Sequence, residues 1–213
     1  MPQRVLLAGA TGLVGGECLQ LLLADPTFDP VHVVVRRPLP PASGAGKLQQ
    51  HVIDLDQMAT ALAGVKVDAV FCALGTTIRK AGSQEKFRKV DFDYPLTLAR
   101  VALERGARHY LLVSALGADA RSRVFYSRTK GELEEALAAL AYRSLTIARP
   151  SLLLGERAEF RLGEQIFARL GFLMPVKYKP VAASAVAAAL VAAAKEDRPG
   201  RRIIESAEML GES

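Results

Sequence analysis

At 213 residues the chain can bury a large core without help from disulfides or metals, and a single domain over residues 1–213 is the expectation. Half of its residues are apolar and 23% are charged, which excludes the disordered and fibrous classes. The net charge of +6 comes from basic residues interleaved with acidic ones, so no nucleic acid and no membrane surface is expected as a partner, while positive charge remains for a phosphate-bearing ligand.

The chain opens with an apolar run at Arg4–Ala10 that breaks at glycines instead of continuing as a signal-peptide core, and so reads as a strand. Helical spacing follows over Leu13–Ala24. Between the two lies Gly9-Ala-Thr-Gly12-Leu-Val-Gly15, where the glycines would allow a tight turn, close approach of backbone to a pyrophosphate, and close packing of helix on strand. The open amides of the helix start favour an anion, which makes Gly9, Thr11, Gly12, Leu13, Val14 and Gly15 the expected phosphate cradle of a dinucleotide. A turn that merely needs glycine is the plain alternative.

The second strand, Val31–Arg36, ends on Arg36 and Arg37, about 20 residues beyond the last glycine, where an NAD-specific protein carries an acid. Guanidinium groups suit a 2′-phosphate better than a ribose diol, so NADP(H) is favoured over NAD(H). Two solvated arginines at a strand end would look the same. Residues 37–47, RPLPPASGAGK, read as a surface loop. The third strand, Gln50–Asp54, brings Asp54 and Leu55 to its tip, where Asp54 can accept from an adenine amino group; a helix N-cap at Asp54 or Asp56 fits equally well.

Further along, a helix is predicted over Asp56–Ala63, a strand over Asp68–Ala73, and a long helix over Ser83–Arg105 with Gly106 as its C-cap. A strand at Tyr110–Ser114, a helix at Ser127–Ala141, a strand at Ser144–Ala148, helices at Phe160–Leu170 and Ser184–Lys195, and a strand at Arg202–Glu205 complete the alternation. Such alternation predicts an α/β fold: a single Rossmann-fold domain with a doubly wound, mostly parallel sheet flanked by helices, and a short C-terminal substrate region. The Ala-rich stretch from Val181 to Ala194 is too short to span a bilayer. Cys18 and Cys72 lie in apolar stretches and read as reduced core residues, which points to a cytoplasmic protein; His32, His51 and His109 are scattered, so no metal is expected.

Tyr126 and Lys130 stand four residues apart, hence on one face of a helix, and a lysine ammonium there favours the phenolate that acid–base work requires. Twelve residues before Tyr126, at a strand end, lies Ser114. With this combination the chain resembles the short-chain dehydrogenase/reductase superfamily over essentially its whole length. It is most similar to the atypical NAD(P)-binding, epimerase-like branch represented by the human Tat-interacting tumour-suppressor protein and its bacterial relatives. The residues that carry the likeness are Cys72-Ala-Leu-Gly75-Thr-Thr, Lys80-Ala-Gly82, Val90-Asp91-Phe-Asp93-Tyr94, Gly117-Ala-Asp119, Tyr126-Ser-Arg-Thr-Lys130-Gly-Glu132 and Ala148-Arg149-Pro150.

The resemblance implies a general acid or base at Tyr126, a ribose-binding and tuning role for Lys130, and a hydrogen bond from Ser114 to the reacting carbonyl. It also implies cofactor contacts from Leu74, Gly75 and Thr76, and from Pro150 and Ser151 beside the nicotinamide. The chain departs from the common reductases at Lys89-Val-Asp91-Phe-Asp93, which lacks the asparagine of their proton relay, and only about sixty residues follow Pro150. Arg157 and Arg161 would clamp a phosphate or acidic substrate group, or else form a solvated face with Glu156, Glu159 and Glu164.

Three functions are weighed on these residues. The first is an NADPH-dependent oxidoreductase for a small carbonyl or hydroxyl substrate. The second is a non-catalytic NADP(H)-sensing module read by a protein partner. The third, epimerase or dehydratase chemistry, needs a sugar-nucleotide site that so short a C-terminal region hardly supplies. Related chains often pair through the helices after the fourth and fifth strands, so a homodimer is a further expectation.

Overall fold

Strand β1 (Gln3–Ala8) buries Val5 and Leu7 on one face and Leu6 and Ala8 on the other. Burial on both faces requires helices on both sides of the sheet, which is the condition for parallel strands joined by helical crossovers. The computed structural model describes residues 1–40, 45–154, 175 and 178–211. After β1 come α1 (Leu13–Ala24), β2 (Phe28–Val35), β3 (Leu48–Val52), α2 (Met58–Ala61), β4 (Ala69–Cys72), α3 (Ile78–Ala81), α4 (Gln84–Arg88), a π-helical turn (Lys89–Asp93) and α5 (Tyr94–Glu104). Then follow β5 (His109–Val113), α6 (Phe125–Ala138), β6 (Ser144–Arg149), the short β7 (Leu153–Leu154) and β8 (Val181–Ala182), α7 (Ala183–Glu196), β9 (Gly200–Glu205) and α8 (Ser206–Met209).

Seven strands form one sheet in the order β3-β2-β1-β4-β5-β6-β9, and every neighbouring pair is parallel. One layer packs Val14, Cys18 and Leu22 of α1 with Val186 and Leu190 of α7 on the sheet. The opposite layer brings Met58 of α2, Leu98 and Ala102 of α5, and Leu133 and Leu137 of α6 against Leu6, Val70, Leu112 and Ile147. The chain moves outward from β1 to β3 and then returns to add β4 on the other side. That reversal opens a crevice at the carboxyl ends of β1 and β4, the place where such sheets bind ligands.

The predicted strands of the sheet are all present, with displaced ends. The predicted helix over Ser83–Arg105 is corrected: it is interrupted by the π turn at Lys89–Asp93. Pro95 lies just inside α5 and has no N–H to give the carbonyl four residues back, at Asp91, so the backbone widens by one residue there. The predicted helix Phe160–Leu170, and with it Glu156, Arg157, Glu159, Arg161 and Glu164, lies outside the described residues. Cys18 and Cys72 are free and buried as expected, and burial pushes the Cys18 thiol up to about 12. The histidines are less scattered in space than along the chain, since His32 Nδ1 lies 3.0 Å from His51 Nε2 across β2 and β3. Among the described residues no group of three or more His, Cys, Asp or Glu is placed so that it could hold a metal ion.

At the sheet end remote from the crevice, His109 is 2% exposed, with Nε2 2.9 Å from Thr146 Oγ1 and Nδ1 3.4 Å from Asp197 Oδ1. Burial pushes its pKa down to about 4, against the pull of Asp197. The unfolded chain therefore binds a proton in a range where the folded one does not, and stability is lost as pH falls from about 6.5 towards 4, by at most about 3 kcal/mol. Urea unfolding at pH 7 and pH 4.5 should show this loss, and His109→Gln should remove that share of the pH dependence.

Candidate dinucleotide site

The crevice is about 670 Å3 in volume. Its floor is the glycine loop. Gly9 has φ +94°, a conformation that an L side chain rarely adopts, and Gly12 N–H donates to the Gly9 carbonyl at 2.8 Å. Gly12 is the N-cap of α1 and offers no side-chain acceptor, and the first turn carries no acid, so its amides remain available to an anion. A β-carbon on Gly9 would stand 2.4 Å from the Ala73 carbonyl oxygen, and one on Gly15 would stand 2.0 Å from that of Gly9. The backbone fits the close approach that a diphosphate needs.

The expected contacts divide. Gly9, Thr11 and Gly12 line the crevice, with Arg36 from the end of β2, Asp54 and Leu55 after β3, and Leu74, Gly75 and Thr76 after β4. Val14 turns its side chain into the core at 3% exposure, and Leu13 packs against the same cluster, so neither brings a side chain to the crevice. Gly15 acts in the packing of α1 on the loop. Arg37 is exposed and lies outside the lining. Asp54 does form a cap, accepting from Asp56 N–H at 3.0 Å, while still facing the crevice.

Sequence reasoning assigned no role to a second wall. Lys80, Lys86, Lys89 and Tyr94 line the crevice opposite the β2 tip. Lys89 pairs with Asp56 at 2.7 Å, and Tyr94 Oη donates to the same carboxylate at 2.8 Å, which closes the rim. The signal was a run of basic residues after the fourth strand, but only the fold turns it towards the crevice.

Behind the Gly75-Thr76 strip sits a buried ion pair. Lys130 Nζ lies 2.7 Å from Asp91 Oδ1, with the two residues 4% and 1% exposed, and Thr76 N–H donates to Asp91 Oδ2 at 2.8 Å. Burial works against the Lys130 charge, but Asp91 and Tyr126 more than reverse it, and its pKa is raised. Asp91 stands in the segment where the relay asparagine is absent, so that position holds a carboxylate in contact with the lysine. Tyr126, one turn before Lys130 on α6, is half-buried with its ring 5.5 Å from that of Phe87.

Ser114 is turned elsewhere. Its hydroxyl donates to Glu134 Oε1 at 2.5 Å, and Glu134, 1% exposed, is gripped by Arg149 through Nε and Nη2 with Arg201 at 3.5 Å. Ser151 is likewise committed: its N–H donates to Ser206 Oγ and its hydroxyl to the Lys179 carbonyl, while the Pro150 carbonyl accepts from Leu116 N–H. None of these three residues lines the crevice.

A family profile described as NAD(P)H-binding matches residues 9–197. The chain is 35% identical to "Protein FMP52, mitochondrial" of Eremothecium gossypii, over 96% of this chain and 95% of the relative. It is 39% identical to "Protein HTATIP2" of Rattus norvegicus, over 75% of this chain and 66% of that protein. Among solved structures, "MoeE5 in complex with UDP-glucose and NAD" superposes with a TM-score of 0.72 at 18% identity, covering 98% of this chain and 80% of that one. A short chain dehydrogenase family protein from Francisella tularensis gives 0.70 at 13%, covering 99% and 100%. Likenesses at that identity establish the fold alone. The FMP52 relatives from six fungi carry "mitochondrial" in their names, which overturns the expectation of a cytoplasmic protein. Reduced, buried cysteines separate reducing from oxidising compartments and do not tell one reducing compartment from another.

Proposed function

Because the chain belongs to the NAD(P)H-binding family, as a homologue of FMP52 and HTATIP2 on the short-chain dehydrogenase/reductase fold, we propose that it is an NADPH-dependent oxidoreductase acting on a small carbonyl or hydroxyl substrate. The observation that carries this reading is the face of α6 on which Tyr126 precedes Lys130 by one turn, with Lys130 held charged against the back of the Gly75-Thr76 strip. The first-turn amides of α1 would hold the diphosphate, and Leu55 and Asp54 would meet the adenine. A nicotinamide nucleotide bound there supplies or accepts hydride. Tyr126 gives its phenolic proton to the substrate oxygen in reduction and takes one back in oxidation, and Lys130 keeps a positive charge one turn away. Consumption of NADPH across a panel of aldehydes, ketones and quinones tests the reading, and no consumption with any of them removes it.

The preference for NADP(H) is supported by the cationic wall. Arg36 lines the crevice from one side and Lys80 and Lys86 from the other, while the acid that would bind a ribose diol is absent from the end of β2. A charge-assisted hydrogen bond contributes about 1.5–3 kcal/mol, so Arg36→Ala should weaken NADPH binding about tenfold to a hundredfold. NADH binding should stay unchanged, and calorimetric titration with both nucleotides decides it; equal losses for the two remove the assignment.

One observation favours a second reading. Ser114, expected to steady the reacting oxygen, donates its hydrogen bond to Glu134 and lies outside the crevice lining. A nucleotide-binding module without turnover, its occupancy read by a protein partner, fits that commitment. Hydrogen exchange with and without NADPH tests it: protection confined to the crevice, with no change on an outer surface, removes it.

A further inference from the structure

We infer that Asp91 is the positioning residue of this site: aimed inward by the π turn, its carboxylate keeps the Lys130 ammonium charged and oriented inside the protein and, through Thr76, ties that charge to the wall of the nucleotide crevice. The inference rests on the reading of the crevice as a nucleotide site, and it concerns how the chain keeps a cation in a place that water does not reach.

Lys130 is 4% exposed, and a lysine so deeply buried without a counter-charge loses its proton readily, its pKa falling by up to about 3–5 units. The titratable groups that face it are few. Tyr126 lies on its own helix, Cys72 comes from β4 as a thiol that burial pushes up, and Asp91 comes from the π turn. Only the last of these is a carboxylate, and it stands in direct contact at 2.7 Å. Asp91 is therefore the carboxylate that holds the amine as an ammonium, and the 2.7 Å contact fixes where its nitrogen sits.

The backbone device is specific to this position. A regular helix through residues 84–104 would turn residue 91 by about 100° relative to the segment beyond it for each residue gained or lost. The extra residue accommodated by the π turn is what brings Asp91 to the interior while Lys89 and Tyr94, on either side of it, reach the crevice rim. Single π turns inside α-helices are frequent at functional sites. The second carboxylate oxygen accepts from Thr76 N–H, so the strip that lines the crevice cannot shift without disturbing the ion pair. The separation is one atom layer: a β-carbon added to Gly75 would lie 3.4 Å from Asp91 Oδ1 and 3.8 Å from Lys130 Nζ.

An asparagine at 91 preserves shape and the amide contact but removes the charge. With lysine Cε labelled by carbon-13 and the Lys130 signal assigned through Lys130→Arg, the wild-type side chain should stay protonated to at least about pH 10. In Asp91→Asn it should titrate at least about two pH units lower. NADPH dissociation constants, flat from pH 6 to pH 9 in the wild type, should rise about tenfold above the new midpoint in the variant, one pH unit corresponding to a tenfold change in the charged fraction. A merely structural Asp91 would weaken binding equally at every pH and leave the lysine titration unmoved, and that result overturns the inference. If Asp91→Asn does not fold, the wild-type titration still decides, because a midpoint below about pH 9 overturns the claim that the charge is held. Asp91→Glu, which keeps a carboxylate, should keep the lysine charged, and a neutral lysine in that variant overturns it too. Should NADPH fail to bind any form while the lysine shift appears, the nucleotide reading falls and the assignment of Asp91 to the Lys130 charge stands.

Discussion

Tyr126→Phe is expected to lower kcat about 10²–10⁴-fold, the range that a positioned proton donor contributes, while NADPH affinity stays within about twofold of the wild type. Tyr126 is the first helical turn's polar side chain on the α6 face that also carries Lys130, and its ring rests against Phe87, a contact that phenylalanine retains. The variant therefore loses an oxygen and its proton without losing its place in the packing. Since that proton moves only as the reaction proceeds, kcat and kcat/KM should fall together with little change in KM. Stopped-flow fluorescence for nucleotide binding and steady-state turnover for the chemistry separate the two effects. A variant that turns over at the wild-type rate shows that the proton comes from another group and leaves the nucleotide-sensing reading in possession of the site.

The sheet is legible in the sequence because its strands are covered on both faces. Runs such as Val33–Val35 and Ala69–Cys72 are continuously apolar, and nothing in an α/β chain competes with that signal. The glycine loop is legible because strand, loop and helix start are contiguous, so local geometry suffices. Residues that act through distant partners are a different matter. Asp91 reads as a polar residue in a helical pattern, and only Pro95 marks the irregularity; its partner Lys130 comes from another crossover. Ser114 stands at the expected strand end, yet the direction of its hydroxyl is decided by Glu134, a carboxylate two turns beyond Tyr126 whose charge is balanced by Arg149 on β6. Lys80 and Lys86 look like any solvated pair until the fold turns α3 and α4 towards the crevice.

These two buried carboxylates divide the work of one helix. At positions 126, 130 and 134, α6 presents a tyrosine, a lysine and a glutamate on one stripe, as the four-residue spacing requires. Lys130 is matched by Asp91 and Glu134 by Arg149, so each charge in the interior has its counter-charge from a different element, and the helix is fixed in rotation as well as in depth. Breaking either pair from one side leaves a charge buried without its partner, which is far costlier than losing both members. The tyrosine at the end of the stripe is thus held in place by ion pairs that never touch it.

Gly9→Ala and Gly15→Ala are expected to abolish nucleotide binding and to destabilise the fold, each by about 3 kcal/mol or more. The cause differs between them. At Gly9 the backbone sits at φ +94°, where a β-carbon costs roughly 1–2 kcal/mol by itself, and the added atom would also meet the Ala73 carbonyl oxygen at 2.4 Å. At Gly15 the conformation is ordinary, and the penalty is contact alone, 2.0 Å to the Gly9 oxygen and 2.6 Å to its carbon. Both contacts are with backbone, so no side chain can rotate away; β1 must part from β4, or α1 must lift from the loop. Lifting α1 moves its first-turn amides off the crevice floor, which is why binding should fail with stability and why excess NADPH should raise the Tm of the wild type but not of either variant. By contrast Gly16→Ala, whose β-carbon would meet the Ala10 oxygen at 3.6 Å, should fold and bind as the wild type does. A Gly15→Ala protein that keeps both its Tm and its NADPH-dependent stabilisation would show that α1 does not pack on the loop as described.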